Sequence, residues 1–324
     1  MENKAIQKIL KHKTNWTFKE AAEIYNLSFN DLVFYAHTIF RKHFDPNKIQ
    51  IAALLNIKQG ACPENCSYCA QSSHFKTKLP SAPLMDIDSV IASAKRAKSL
   101  GASRLCMAAA WRGPNEQDIK SLSSMIQEVK KIGLETCISA GLLTEAQAKE
   151  LKDAGLDFYN HNIDTSEDYY QQIITTRKFS DRIKTIKAVS QAGIAVCCGG
   201  IVGMGESKED RIKMIITLAN LKPQPKSVPI NLLMKIPCTP LANIPDLDPL
   251  ELVRTVATTK ILLPKSYLRL AAGRANMTDE LQALCFFAGA NSIFYGEKLL
   301  STPNPDPSKD EKLLKKLDLM KTNA

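Results

Sequence analysis

The feature that most constrains this chain is a set of glycines in a repeated setting. The segments "SLGASRLC", "KIGLETC", "DAGLDFYN", "QAGIAVCC" and "FAGANSIF" each close a helix-like stretch at a glycine and then enter an apolar, strand-like run. A glycine just past a helix adopts the left-handed conformation without steric cost. Gly101, Gly133, Gly155, Gly193 and Gly289 therefore mark helix-to-strand joints. Helix starts agree: "TEAQ" (144–147), "SKED" (207–210) and "DPLE" (248–251) put a capping residue first and an acid or amide three later. Strands are predicted at 50–58, 103–110, 134–140, 158–164, 194–203, 227–234, 267–274 and 290–296. Most strand-to-strand steps are about 24–38 residues, a βαβ spacing. Eight alternating units predict an α/β chain folded as a (β/α)8 barrel of the TIM type, with an open doubly wound sheet as the alternative. Residues 1–45 read as an N-terminal helical extension, in which Thr17 and Glu20 form a capping box and 28–44 is amphipathic. The barrel is expected over 46–300. Pro303, Pro305 and Pro307 end the regular pattern, and 301–324 reads as a charged C-terminal tail.

Composition narrows the function classes. The chain has 324 residues, 44% of them hydrophobic, enough for a large core. It has no apolar run of about 18 residues, so no membrane span is expected. Its start, "MENKAIQKILKHKTNW", is basic but has no apolar signal core, so a cytoplasmic location is expected. The formal charge of +10 comes from scattered lysines, with small clusters at 11–13 and 312–321. No basic stripe interleaves with aromatics, which argues against nucleic acid and for at most a mild pull on small anions. Nine cysteines in a chain of this length do not make a secreted disulfide scaffold; they read as reduced thiols or metal ligands.

The tightest cysteine group is "GACPENCSYCAQ" (60–71), directly after the first predicted strand. In a barrel this loop lies at the C-terminal mouth, where active sites are built. Thiolates bind zinc or iron–sulfur clusters. A zinc site could recruit His74 as a fourth ligand to Cys62, Cys66 and Cys69. Three cysteines on a 4Fe–4S cluster would instead leave one iron open for a substrate. The C-x3-C-x2-C spacing, with Tyr68 before the last cysteine, resembles the signature of the radical S-adenosylmethionine (SAM) superfamily. That resemblance implies that the open iron chelates SAM, and that an electron from the cluster cleaves SAM to methionine and a 5′-deoxyadenosyl radical.

Three further cysteines lie within strands: Cys106 in "RLCMAAA", Cys137 in "ETCISA" and Cys197 in "AVCCGG". Each could be a small buried hydrophobe, yet on separate barrel strands they could meet in the interior. A 2Fe–2S cluster wants four ligands, and Arg269 in "YLRLAAGR" is a candidate that spacing alone does not select. In "YNHNIDT" (159–165), alternation puts Asn160, Asn162 and Asp164 on one face, suited to a polar ligand if that face is the lumen. "GGIVGMGES" (199–207) is either a ligand-approaching turn or a plain one.

Together, "GACPENCSYCAQSSH", "RLCMAAAWRGP", "YNHNIDT", "CCGGIVGMGE", "VPINLLMKIPCTPL" and "LRLAAGR" resemble the biotin synthase family along about residues 45–300, in the family's order. The resemblance implies a sulfurtransferase that inserts sulfur into dethiobiotin, consuming two SAM molecules per product. It implies Cys62, Cys66 and Cys69 as ligands of a 4Fe–4S cluster. It implies Cys106, Cys137, Cys197 and Arg269 as ligands of a 2Fe–2S cluster that donates the sulfur. Asn160, Asn162 and Asn231 would contact dethiobiotin or SAM, Asp164 the SAM ribose and Arg182 the SAM carboxylate. A homodimer, an electron donor such as flavodoxin or ferredoxin, and the iron–sulfur assembly machinery would be its partners. Cys197 and Cys198 are adjacent; the motif favours Cys197 as ligand, and a bulge beside Gly199 would exchange them.

Overall fold

The computed structural model describes residues 13–296 and 298–322. Two helices come first, α1 (Phe18–Tyr25) and α2 (Phe29–His43). The barrel follows: β1 (Lys48–Lys58), α3 (Ile87–Ser99), β2 (Arg104–Ala109), α4 (Glu116–Lys131), β3 (Glu135–Ser139), α5 (Glu145–Asp153) and β4 (Phe158–Asn160). Next are α6 (Glu167–Ile173), α7 (Phe179–Gln191), β5 (Ala195–Cys197), β6 (Gly200–Val202), α8 (Lys208–Asn220), β7 (Ser227–Leu232), α9 (Pro249–Leu262), β8 (Tyr267–Leu270), α10 (Asp279–Phe287) and β9 (Ser292–Phe294). The chain ends with β10 (Lys298–Leu299), β11 (Thr302–Pro303), α11 (Pro307–Lys316) and β12 (Met320–Thr322).

The strands run in the order β1-β2-β3-β4-β5-β7-β8-β9, all parallel, and β9 pairs back onto β1. The sheet is therefore a closed eight-stranded barrel, and the open-sheet alternative is excluded. All five joint glycines have positive φ, from 75° to 112°. Thr17, Thr144 and Ser207 sit in capping boxes. Asp248 caps α9 through Leu250 N without the reciprocal bond, because Glu251 is turned outward to accept from Tyr25 Oη and Arg211 Nη2. The outward strand positions, among them Leu105, Ile138, Tyr159, Val228 and Ile293, bury against the helices.

Three stretches differ from the sequence pattern, the first being the strand expected over 158–164, which ends at Asn160. The predicted strand at 194–203 is broken into β5 and β6 at Cys198–Gly199; a Cβ on Gly199 would overlap the Pro229 carbonyl, so the chain turns there only because the residue is glycine. The stretch read as a charged tail is folded. α11 follows the last barrel strand as its eighth helix, and β12 adds to the start of β1, pairing Lys48 with Met320. A buried ion pair between Arg274 and Asp310 anchors α11. Four lysines, Asp310 and Glu311 in ten residues hid this helix, whose buried face is only Asp310, Leu313 and Leu314.

Of the N-terminal extension expected over 1–45, residues 1–12 lie outside the described residues; α1 and α2 pack on the barrel's side, over α8 and α9. Tyr25 Oη donates to Glu251 and accepts from Arg211 Nε, while Arg254 caps the carbonyls of Tyr25 and Leu27. No helix among the described residues is long and apolar enough to cross a membrane.

Candidate active site

Three loops hold the cysteine segment at the barrel mouth. Gly60 and Ala61 take positive φ (68° and 51°), which turns the chain sharply off β1. The loop then closes on itself through Cys62 N to Gln71 O (2.9 Å), Ser73 N to Cys62 O (2.8 Å) and Cys69 N to Cys66 O (2.9 Å). Asn65 receives the amides of Thr175 and Thr176 on Oδ1, and Ser67 donates to Ile173 O. The segment between α6 and α7 is thereby locked to the cysteine loop. Buried Glu64 accepts from Arg112 Nη1 (2.7 Å) and from the Thr176 hydroxyl. All three cysteines are free, and all three line one cavity. Burial raises the thiols of Cys62 and Cys66, and it pushes Cys69 up to about 12 with help from its neighbours.

Below the loop is a cavity of about 310 Å³, within the range of small-molecule sites. Asn160, Asn162, Asp164, Arg182 and Asn231 all line it. Asn231 is fixed at both ends, donating to Gly200 O (3.0 Å) and accepting from Ala272 N (3.1 Å). Asn162 Oδ1 accepts from Gly199 N, while Asn160 reaches Ser139 Oγ at 3.4 Å. Asp164 is a buried non-glycine residue at φ 67°, a strained conformation of the kind that persists at functional sites. One of its oxygens accepts from Tyr68 Oη (2.7 Å) and from Arg182 Nη2. Arg182 also donates from Nε to Tyr170 and from Nη1 to the Asn162 carbonyl, so three of its N–H groups are spent inside the protein and two remain for a ligand.

Strict alternation fails past Asn160, where β4 ends. His161 therefore also lines the cavity, with Nε2 buried and lacking a hydrogen-bond partner. Burial, reinforced by Arg182 and Arg177, holds this imidazole well below its usual pKa, so it is neutral. Sequence reasoning also missed Trp111, Arg177, Met234, Ser301 and Thr302, all lining residues. The last two come from the β10–β11 hairpin, which straddles the boundary expected between the barrel (46–300) and the tail (301–324).

The second cysteine set lies one layer lower. Cys106, Cys137 and Cys197 pack together with Ala52, Leu54, Phe158 and Phe294. Leu54 and Phe294 also line the cavity, so the two layers share a boundary. Cys106 is two residues before Ala108, and Cys137 two before Ser139, both cavity residues; a strand rises ~6–7 Å over two residues. Arg269 reaches this layer from β8. Its Nη1 is 4.0 Å from Cys106 Sγ, while Nε and Nη2 are held by Ser292 Oγ (2.9 Å) and Gln50 Oε1 (3.2 Å). Cys198 instead packs into the outer core, so the pair is ordered as the motif favours: Cys197 inward, Cys198 outward. The free Cys137 thiol lies between those of Cys106 and Cys197 and interacts with both. This lowers Cys106 and Cys197 and raises Cys137 itself, and Arg269 and Arg104 favour the two lowered thiolates further.

The donor chemistry fits iron–sulfur clusters. Each layer offers three free thiols, and Arg269 flanks the lower set. Among the described residues, no three His, Cys, Asp or Glu side chains converge as one metal ion requires; a cluster spreads its ligands over separate irons. His74 does not line the cavity with the three cysteines, and among the described residues it joins no group of three or more such side chains placed to hold one metal ion, which counts against the zinc reading. The glycine-rich turn at 199–207 proves structural, since the Glu206 carboxylate already takes the amides of Gly203 (2.9 Å) and Met204 (2.7 Å).

Known proteins give the same picture. Residues 56–219 match the radical SAM superfamily, and 229–320 match the biotin and thiamin synthesis associated domain. The biotin synthase of Rickettsia felis is 59% identical over 305 residues, covering 94% of this chain and 99% of that protein. That of Lawsonia intracellularis is 57% identical, covering 96% and 99%. Among solved structures, methylornithine synthase superposes with a TM-score of 0.81 at 17% identity, covering 98% of this chain and 97% of its own. An [FeFe]-hydrogenase maturase from Carboxydothermus hydrogenoformans gives 0.83 at 16%, covering 98% and 78%. These two likenesses concern the fold. On sequence over nearly its full length, the chain belongs to the biotin synthase family of the radical SAM superfamily.

Proposed function

We propose that this chain inserts sulfur into dethiobiotin to form biotin, with SAM and dethiobiotin held in the lumen between two iron–sulfur sites. One observation carries the reading: two separate sets of three thiols flank a single cavity, Cys62, Cys66 and Cys69 lining it and Cys106, Cys137 and Cys197 lying in the layer behind Leu54 and Phe294. Cys62, Cys66 and Cys69 would hold a 4Fe–4S cluster, and Cys106, Cys137, Cys197 and Arg269 a 2Fe–2S cluster. When bound, the first supplies the electron that cleaves SAM and the second supplies the sulfur.

The protein's own part is placement and exclusion of water. Asp164 offers its second oxygen to the SAM ribose, its first being fixed by Tyr68 and Arg182. Arg182 neutralises Asp164 and keeps two N–H groups for the SAM carboxylate. Asn160, Asn162 and Asn231 present amides suited to the urea ring and ribose. Neutral His161 neither adds nor removes charge near the reacting carbon. Arg269, held on Ser292 and Gln50, presents its planar fork beside Cys106, a geometry that lysine would not reproduce.

A soluble low-potential electron donor, a homodimer and a cytoplasmic location complete the proposal. Dethiobiotin, SAM and a reductant, mixed anaerobically with the loaded enzyme, should yield biotin and about two 5′-deoxyadenosines per biotin, one for each C–H bond broken. Cys62→Ala should abolish SAM cleavage. Cys137→Ala should lose biotin formation while the upper cluster still assembles. Full biotin formation and wild-type iron in Cys137→Ala would overturn the assignment of the lower site.

A further inference from the structure

Arg177 has no role in the account so far, yet its environment is unusual. It sits between α6 and α7, on the segment locked to the cysteine loop by Asn65. Its side chain is 9% exposed and lines the cavity. A buried guanidinium needs a counter-charge. The nearest carboxylate oxygen, Glu64 Oε2, is 3.8 Å from Nε, beyond hydrogen-bonding distance. Glu64 is already engaged by Arg112 (2.7 Å) and by the Thr176 hydroxyl. Asp164 is held by Arg182 and Tyr68. Arg177 Nε is accordingly buried without a hydrogen-bond partner. What Arg177 does contact is sulfur: Nη2 donates to Cys66 Sγ at 3.6 Å. Two guanidinium groups thus surround one carboxylate beside the cysteine loop, leaving an excess positive charge against a sulfur ligand.

We infer that Arg177 is a positioning residue that sets the reduction potential of the cluster held by Cys62, Cys66 and Cys69, through its hydrogen bond to the Cys66 sulfur. The inference rests on the 4Fe–4S reading above. Reduction brings one electron from an external low-potential donor into the cluster. No proton accompanies it, because arginine keeps its own. The cluster becomes more negative, and a donor fixed on a ligand sulfur stabilises that form. Arg112, half exposed and bonded to Glu64, is shielded from the sulfur and lacks this effect.

The test is the midpoint potential of the upper cluster, followed by EPR on anaerobically loaded enzyme without SAM, poised with dithionite and mediators. Wild type, Arg177→Met and Arg177→Lys are compared, with the visible spectrum of the lower cluster as the check that the barrel is intact. At fixed potential, Arg177→Met should show about a tenfold lower ratio of reduced to oxidised cluster, a downward shift of about 59 mV. Arg177→Lys, retaining charge but losing the fork, should fall between. Equilibrium SAM binding should change less than the ratio does. Midpoints equal to wild type in both variants would overturn the inference, as would unchanged midpoints with lost SAM affinity, which would make Arg177 a SAM ligand. Failure of both variants to assemble the upper cluster while keeping the lower one would also overturn it. Wild-type enzyme lacking a 4Fe–4S signal would instead refute the functional reading itself.

Discussion

At the scale of single residues, Asp164 joins most of the site. It bridges the cysteine loop through Tyr68, α7 through Arg182 and β6 through its backbone carbonyl, which accepts from Ile201 N (2.7 Å). Asp164→Asn keeps an acceptor for Tyr68 but removes the charge facing Arg182. Loss of a charged hydrogen bond costs about 1.5–3 kcal/mol, so SAM affinity of the loaded enzyme should fall roughly tenfold to a hundredfold. Unchanged affinity by equilibrium binding would remove Asp164 from the SAM site. Residues of this kind were legible in part. Cys62, Cys66 and Cys69 announce themselves by spacing, and Asn160, Asn162 and Asp164 by their polarity in an otherwise strand-like run, although the alternation used to group them ends at Asn160. His161 was hidden because alternation holds only while the strand lasts, and β4 ends at Asn160. Arg177 was hidden because its significance lies in having too few partners, a property of packing and not of sequence.

At the scale of elements, strands and helices follow from glycine punctuation and caps, while their interruptions follow from close approach. Gly199 is the clearest case: β5 and β6 diverge there against the Pro229 carbonyl. Gly199→Ala forces a backbone clash and should destabilise the loaded enzyme by about 3 kcal/mol or more, read as a lower urea midpoint. A shift under about 0.5 kcal/mol, typical of surface changes, would contradict this. Lys260, at the end of α9, makes a different case. It is fully buried over Phe40 and Phe44, with Nζ donating to Ser266 O (2.8 Å). Burial pulls its pKa well below 10.5, so the folded state gives up this proton at a lower pH than the unfolded chain does. The unfolded chain then binds one more proton between the two pKa values, and wild-type stability rises with pH across that window. Lys260→Met should therefore be stabilising near pH 7, by about 1 kcal/mol, and the gain should shrink toward pH 10. A destabilised, pH-independent Lys260→Met would show that the amine is charged and held by the two rings.

At the scale of the whole molecule, β9 closes the barrel on β1, but its outer layer is completed by residues outside the apparent repeat. The eighth helix, α11, and the extra strand β12 come from 307–322, where charge and proline content disguise a structural segment. The ledger of hydrophobic periodicity could not find it, because α11 is anchored by an ion pair and not by a broad apolar face. Asp310→Ala would leave Arg274 buried without its partner and should cost about 3–5 kcal/mol, measured by urea unfolding. A cost below about 1 kcal/mol would mean that α11 contributes little to the stability of the barrel. The β10–β11 hairpin just before α11 lines the cavity, so the fold's least legible part forms a wall of its most legible site.

The central claim is that one lumen carries two independent iron–sulfur sites. Its most direct test is the iron and acid-labile sulfide content, with visible and EPR spectra, of anaerobically prepared wild type and the Cys62/Cys66/Cys69→Ala triple variant. The account predicts two cluster types in wild type and a 2Fe–2S spectrum alone in the variant. A single cluster in wild type, or loss of both types in a folded triple variant, would contradict it.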